Sequence, residues 1–299
     1  MSRILSARAK RRWLPAATAA ALALPHAALA HEWQWGGKLD LTRGVANVEG
    51  AGGGGLATWA LITGNETRDG IGGEVSATYV SLPNYTARVS GGGVGLFDRA
   101  EVTVARASFD TGATGAKLGL GRGFTFDQTI VGAKLRLVGD AVYDQTSWLP
   151  QVSAGLQYKA NDKGGIVRAV GGDTDKDVDY YVAATKILLD QSLVLSAAGR
   201  VTRANQFGFL GFGGDKHRAY SAQFEGSAAY LVTSKLALGG EYRTKPDNLG
   251  FARENAAFDL FAAYALTKTL SVTAAYVDLG DIATFRHQAG AYISLQAGF

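Results

Sequence analysis

Lys134 and Arg136 stand two residues apart, as do Glu241 and Arg243 and, near the front of the chain, Lys38 and Asp40. Apolar residues fill the alternate positions. Val131, Ala133, Leu135 and Leu137 oppose Lys134 and Arg136, while Leu236, Leu238 and Tyr242 oppose Glu241 and Arg243. In 193–202, Leu193, Leu195 and Val201 oppose Ser196 and Arg200. Successive side chains of a β-strand point to opposite faces, so charges two apart share one face. The same phase adds Glu74, Lys159, Lys186 and Glu225 to the charged face. A channel lined this way would orient small polar or anionic solutes, because rings of Lys and Arg favour anions. The same residues could instead form a salt-bridge network that fills a narrow barrel, since a barrel of about eight strands is filled and one of about sixteen is open.

Other chemistry is poorly served. Beyond residue 30 the histidines are His31, His217 and His287, and the chain has no cysteine. A nucleophilic triad needs a histidine within reach of serine and an acid. No such pattern surrounds His217 or His287, so no catalytic residue is assigned and no enzyme is expected. Asp173, Asp175, Asp177 and Asp179 alternate, but a helix–loop–helix calcium site counted from Asp173 would place Gly and Glu where Val178 and Ala184 stand. No metal site is assigned. Gly119, Gly121 and Gly123 lack the flanking strand and helix of a dinucleotide fingerprint. They read as loop glycines, and no cofactor is expected.

The elements that must position the charged face follow from the cost of charge in lipid, about 2–4 kcal/mol for Arg or Lys at the bilayer midplane. The apolar face therefore meets lipid and the charged face a lumen. This predicts an all-β fold, a closed antiparallel transmembrane β-barrel of about 12–14 strands. About twelve strands are legible from Ile71 onward, ending in the alternating segment 289–299. Two weaker candidates, 37–43 and 56–63, flank the glycine run Gly50 to Gly55. Either they complete a barrel of about fourteen strands, which is the reading adopted, or residues 31–70 form a luminal segment. Arg88 and Arg106 resist phasing, because Gly91–Gly93 and a bulge would blur the count. Short turns such as 96–99, 189–192, 232–235 and 266–269 alternate with long connections at 109–128, 160–178, 203–219, 245–257 and 280–288. Short periplasmic turns and long outer loops are the asymmetry of outer-membrane barrels, with 143–150 as a longer periplasmic turn. The apolar, glycine-rich stretch 205–214 and Leu249–Phe251 either fold inward as a constriction or pack on neighbouring loops.

Composition supports this. Residues 1–30 read as a secretory signal, with a basic front, an apolar stretch from Ala16 to Leu24 and a small-residue site at Ala28–Ala30. Cleavage would leave a barrel over 31–299. It would also remove Arg3, Arg8, Lys10, Arg11 and Arg12, leaving 25 of 30 basic residues against 26 acidic ones, so the net +4 becomes −1. No electrostatic case for nucleic acid survives. After residue 30 no apolar run is long enough for a transmembrane helix.

The segments Gly119-Leu120-Gly121-Arg122-Gly123-Phe124-Thr125-Phe126, Ser147-Trp148-Leu149-Pro150-Gln151, Gly211-Phe212-Gly213-Gly214-Asp215, Gln223–Tyr230 and Glu241–Ala252 resemble the bacterial family called domain of unknown function 3034. That resemblance implies a Gram-negative outer-membrane protein with no established substrate and no catalytic residues to carry over; export by the general secretory pathway is expected from the signal segment. The terminal Phe299 resembles the signal that the barrel assembly machinery reads. Outer-membrane lipid and lipopolysaccharide are the other expected partners. The expectation is a porin-like passive channel for small polar solutes; a plugged barrel acting through its outer loops is the alternative, and a lipid-acting enzyme is the remotest reading.

Overall fold

The computed structural model describes residues 37–42 and 45–299. The expected signal segment and Arg43 lie outside the described residues. Two strands of two residues, β1 (Val45–Ala46) and β2 (Gly52–Gly53), pair with each other without joining the barrel wall, and Gly53 also bridges Thr58. The other twelve close into one antiparallel barrel. They are β3 (Ile71–Ser81), β4 (Thr86–Leu96), β5 (Ala100–Asp110), β6 (Thr125–Val138), β7 (Gln151–Asn161) and β8 (Lys176–Leu188). Then follow β9 (Leu193–Thr202), β10 (Ser221–Thr233), β11 (Leu236–Arg243), β12 (Ala257–Ala265), β13 (Leu270–Asp278) and β14 (Ala289–Gly298). Each pairs with its neighbours in sequence, and the seam joins β14 to β3, with Gly298 opposite Glu74 and Ala291 opposite Ser81.

Polarity is inverted relative to a water-soluble barrel. Val104, Leu135, Val182, Leu195, Leu260 and Ile293 are exposed on the outer wall, while Glu101, Lys134, Asp179, Arg200 and Glu225 are buried. An apolar exterior around a charged interior is what a bilayer selects. Near one rim the wall carries an exposed aromatic girdle that includes Tyr79, Tyr158, Tyr180, Tyr242, Phe258 and Tyr276. That rim also bears the long connections 111–124, 162–175, 203–220, 244–256 and 279–288; the opposite rim has the short turns 97–99, 189–192, 234–235 and 266–269, one longer link at 139–150, and the carboxy-terminus. The long-loop rim is therefore the outer one.

The count of twelve corrects the sequence reading of the two weaker segments. Residues 39–42 form a turn, in which the Thr42 amide bonds the Leu39 carbonyl at 3.0 Å, and 56–63 is irregular. Neither joins the wall, because the β14–β3 seam already satisfies both edges and leaves no ladder to extend. Residues 46–66 run inside the barrel instead and, apart from the half-buried Val48, are buried there. At their root the Phe299 carbonyl accepts the amides of Gly73, at 2.7 Å, and Asn65, at 3.4 Å. The Asn65 side chain adds a bond to the Gly298 carbonyl at 3.0 Å, so the luminal segment is stapled to the seam.

Two apolar clusters lie inside. Towards the periplasmic rim, Trp59 and Leu61 of the luminal segment pack with Leu41, Ile187, Val194 and Phe261. Towards the outer rim, Phe207, Phe209, Leu210 and Leu249 fold inward from the loops onto Phe109, Phe126 and Ile282. The loop expected either to fold inward or to pack outside thus folds inward.

Candidate functional site

Between those clusters lies a band of charge. Lys159 of β7, Arg200 of β9 and Arg243 of β11 converge on Glu49, at the tip of the turn between β1 and β2. Arg243 Nη1 is 2.8 Å from the Glu49 carboxylate and Arg200 Nη2 is 3.6 Å away; Lys159 Nζ donates to it as well. Asp179 and Glu225 complete the cluster. Lys159 reaches Asp179 at 2.6 Å, and Arg200 Nε donates to Glu225 at 2.5 Å. Three cations thus balance three carboxylates, one of them supplied by the luminal segment. Burial alone would raise the Glu49 carboxyl, but Arg243, Lys159 and Arg200 together hold it below the usual carboxylate range.

The rest of the segment is gripped by its backbone. Glu241 accepts the amides of Leu56 at 2.5 Å and Ala57 at 3.2 Å, and Glu225 accepts that of Thr58 at 2.7 Å. Lys134 donates to the carbonyls of Gly52 at 2.9 Å and Leu61 at 2.8 Å, and its partner Glu101 accepts the Thr63 amide at 2.9 Å. Gln151 and Ser153 both donate to the Ala60 carbonyl at 2.6 Å. An irregular segment in a closed space has no ladder of its own, so wall side chains must satisfy its amides and carbonyls. The glycine run permits the approach: a Cβ at Gly54 would overlap the Glu241 carboxylate.

At the periplasmic root, Lys38 donates to the Ile62 carbonyl at 2.7 Å and pairs with Glu66 at 3.1 Å and Asp98 at 3.3 Å. Burial pushes the Glu66 carboxyl up to about 7 despite Lys38. At the outer end Phe207 lies over Arg243, with 4.7 Å from guanidinium to ring centroid. Gln206 and Phe207 carry positive φ of 47° and 60°, a strained conformation for non-glycine residues. The Gln206 amide bonds Glu254, whose carboxyl is pushed up to about 7 by burial against the pull of Lys245. Two small voids of about 30 and 20 Å³ flank the charged band, each with room for no more than a water or two.

Of the residues expected on the charged face, Glu74, Lys134, Arg136, Lys159, Lys186, Arg200, Glu225, Glu241 and Arg243 are buried on the inner side of strands. They do not form one lining. Arg136 and Lys186 sit at the periplasmic rim, where Arg136 pairs with Asp98 and Asp140 and Lys186 donates to the carbonyls of Asp140 and Leu149. Lys38 and Asp40 lie on no strand; Lys38 anchors the luminal segment and Asp40 is half-buried in the 39–42 turn. Glu49, Glu101, Asp179 and Asp259 were missed. With them the inner wall balances its charge, which removes the expected bias towards anions. The acidic row beginning at Asp173 is paired by arginines: Asp173 with Arg218, Asp175 with Arg168, Asp177 with Arg203 and Asp179 with Arg200. Among the described residues no cluster of His, Asp or Glu could hold a metal. His217 and His287 are exposed in outer loops.

The sequence model of the family described as "Protein of unknown function (DUF3034)" matches residues 42–296. The chain belongs to that family. Its fold is a closed antiparallel β-barrel of twelve strands with an apolar outer wall and a charged interior. No curated protein sequence is significantly similar to it. Among solved structures, a KdgM porin is 8% identical with a TM-score of 0.47, over 76% of this chain and 99% of that one. A NanC porin is 10% identical with a TM-score of 0.49, over 76% and 98%. The outer membrane phospholipase A from Escherichia coli is 8% identical with a TM-score of 0.41, over 76% and 92%.

Proposed function

We propose that this DUF3034 protein is a gated passive channel for small polar solutes, held closed by its own residues 45–66. One observation carries the reading: the segment that fills the lumen is held by charged and polar wall side chains. A permanently filled barrel has no need of such a wall, since well-packed apolar residues in place of buried ion pairs are often equally or more stable. With the segment withdrawn, Lys134, Lys159, Arg200, Gln157 and Glu225 would line a wettable passage. Because that lining is charge-balanced, it suits neutral or zwitterionic solutes and implies weak ion selectivity.

The test is planar-bilayer conductance on three proteins shown to be folded and inserted. The full chain is expected to be silent at low voltage. Deletion of 45–62 should give discrete current steps, and a second deletion of 205–212 should enlarge them. Silence from the doubly deleted barrel refutes the channel and leaves a closed barrel with a role at the cell surface.

A further inference from the structure

On the lipid side, the aromatic girdle marks the height at which the bilayer interior gives way to headgroups. Across β4, β5 and β6 that boundary is drawn without aromatics. The outward positions run Val94, Ser90, Arg88 on β4, then Val102, Val104, Arg106 on β5, then Val131, Thr129, Asp127 on β6. The pairing is unbroken through Gly91–Gly93, so both arginines point outward, which settles the phase the sequence left open. Arg88 stands directly opposite Tyr79 and is therefore at girdle height. Arg88 faces Ser108 and Arg106 faces Ser90, an arrangement that sets the arginines on a diagonal about 7–8 Å apart.

Both guanidiniums are available. Arg88 lies over the Tyr79 ring at 5.8 Å and has no carboxylate partner among the described residues. Arg106 donates to Thr129 Oγ1 at 2.9 Å and lies 3.4 Å from Asp127, with its side chain still 55% exposed. The two arginines share a groove of about 520 Å³ with Ala77, Tyr79, Ile293 and Leu295. Guanidiniums on a lipid-facing wall cost little only near the interface, and their forked donors match phosphate oxygens. Apolar groove walls beside paired cations suit a ligand with a phosphate head and an acyl tail.

The geometry points to an outward-facing site for a phosphorylated acyl glycolipid of the outer leaflet, lipid A, with its phosphate between Arg88 and Arg106 and an acyl chain along Tyr79, Ile293 and Leu295. The site does not depend on whether the lumen opens. Asp127 competes with the phosphate for Arg106 and so limits the affinity.

The experiment is a lipid titration of the detergent-purified full chain, read by native mass spectrometry, with bisphosphorylated lipid A, fully dephosphorylated lipid A and phosphatidylglycerol. Lipid A is expected to bind at least tenfold more tightly than its dephosphorylated form and than phosphatidylglycerol. Arg88→Gln with Arg106→Gln should abolish the discrimination by phosphate, and Asp127→Asn should strengthen it. Both changes lie on the exposed wall, and Asp127→Asn keeps the test alive if the double variant does not insert. Undiminished discrimination in the double variant, no discrimination in the unaltered chain, or equal affinity for phosphatidylglycerol overturns the assignment.

Discussion

The lumen is closed by two seals built on different physics. From the periplasmic side, residues 45–66 are held by ion pairs and by backbone bonds to charged side chains. From the outside, loop residues close over the mouth as an apolar cluster, with Phe209 stacked on Phe109 at 5.1 Å. The difference sets which seal would open if the barrel gates as proposed. Apolar packing is non-directional and tolerates rearrangement, whereas a buried charge cluster is stable only while every partner is present. The inner seal is therefore the all-or-none element, and the outer one limits leakage.

Removing one partner from the inner seal should have the largest effect. Glu49→Gln leaves Lys159, Arg200 and Arg243 facing only Asp179 and Glu225, a loss of about 3–5 kcal/mol for an unpaired buried charge. Spontaneous channel openings should appear in the bilayer and grow more frequent with ionic strength; persistent closure would show that the charges are not the latch. Phe209→Ala in the outer seal should cost about 3 kcal/mol through the cavity it leaves. That loss should appear as earlier thermal unfolding, without salt dependence and without openings. Gly54→Ala presses a methyl group on Glu241, an overpacking cost of about 1–3 kcal/mol. It should raise protease access to residues 45–66 while leaving barrel melting unchanged.

The smallest effect is that of pH, and it divides the seals. Glu66 in the inner seal and Glu254 in the outer one both have carboxyls raised from 4.5 to about 7 by burial. The closed state then binds more protons than the open one between those values, so acidification from pH 7 towards 4.5 favours closure and a rise through 7 loosens it. Each group contributes at most about tenfold in the open-to-closed ratio per pH unit. Glu66→Gln should remove the pH dependence of gating, while Glu254→Gln should remove only that of outer-loop protection, read by hydrogen exchange.

The barrel was legible because a single period governs it. Once lipid is outside, Leu135 against Lys134, or Leu195 against Arg200, fixes the face of a strand from a few residues. Arg88 was legible too, had the alternation from Val94 been carried unbroken through the glycines, and Arg106 from its step with Val102 and Val104. Asp179 was hidden by the acidic row before it, although it is in step with Tyr181 and Ala183 at the head of β8. The luminal segment could not be read locally. Its partners lie far along the chain (Leu56 bonds a residue 185 positions away), and its own backbone supplies most of the contacts. Glu49 stands next to a glycine run, and no periodicity marks the carboxylate that joins three strands.

One junction links the segment to the end of the chain. Asn65 bonds Gly298, 233 positions away in sequence, and the adjoining Phe299, and these are also the residues that meet β3 at the seam. Bringing such distant points together costs about 5 kcal/mol of chain entropy, which the ladder between β14 and β3 must offset. Asn65 adds two bonds at that point, one from its side chain and one from its backbone. The junction that completes the wall is thus also the point at which the luminal segment is tethered, so loosening one end of the seam would loosen the root of the segment.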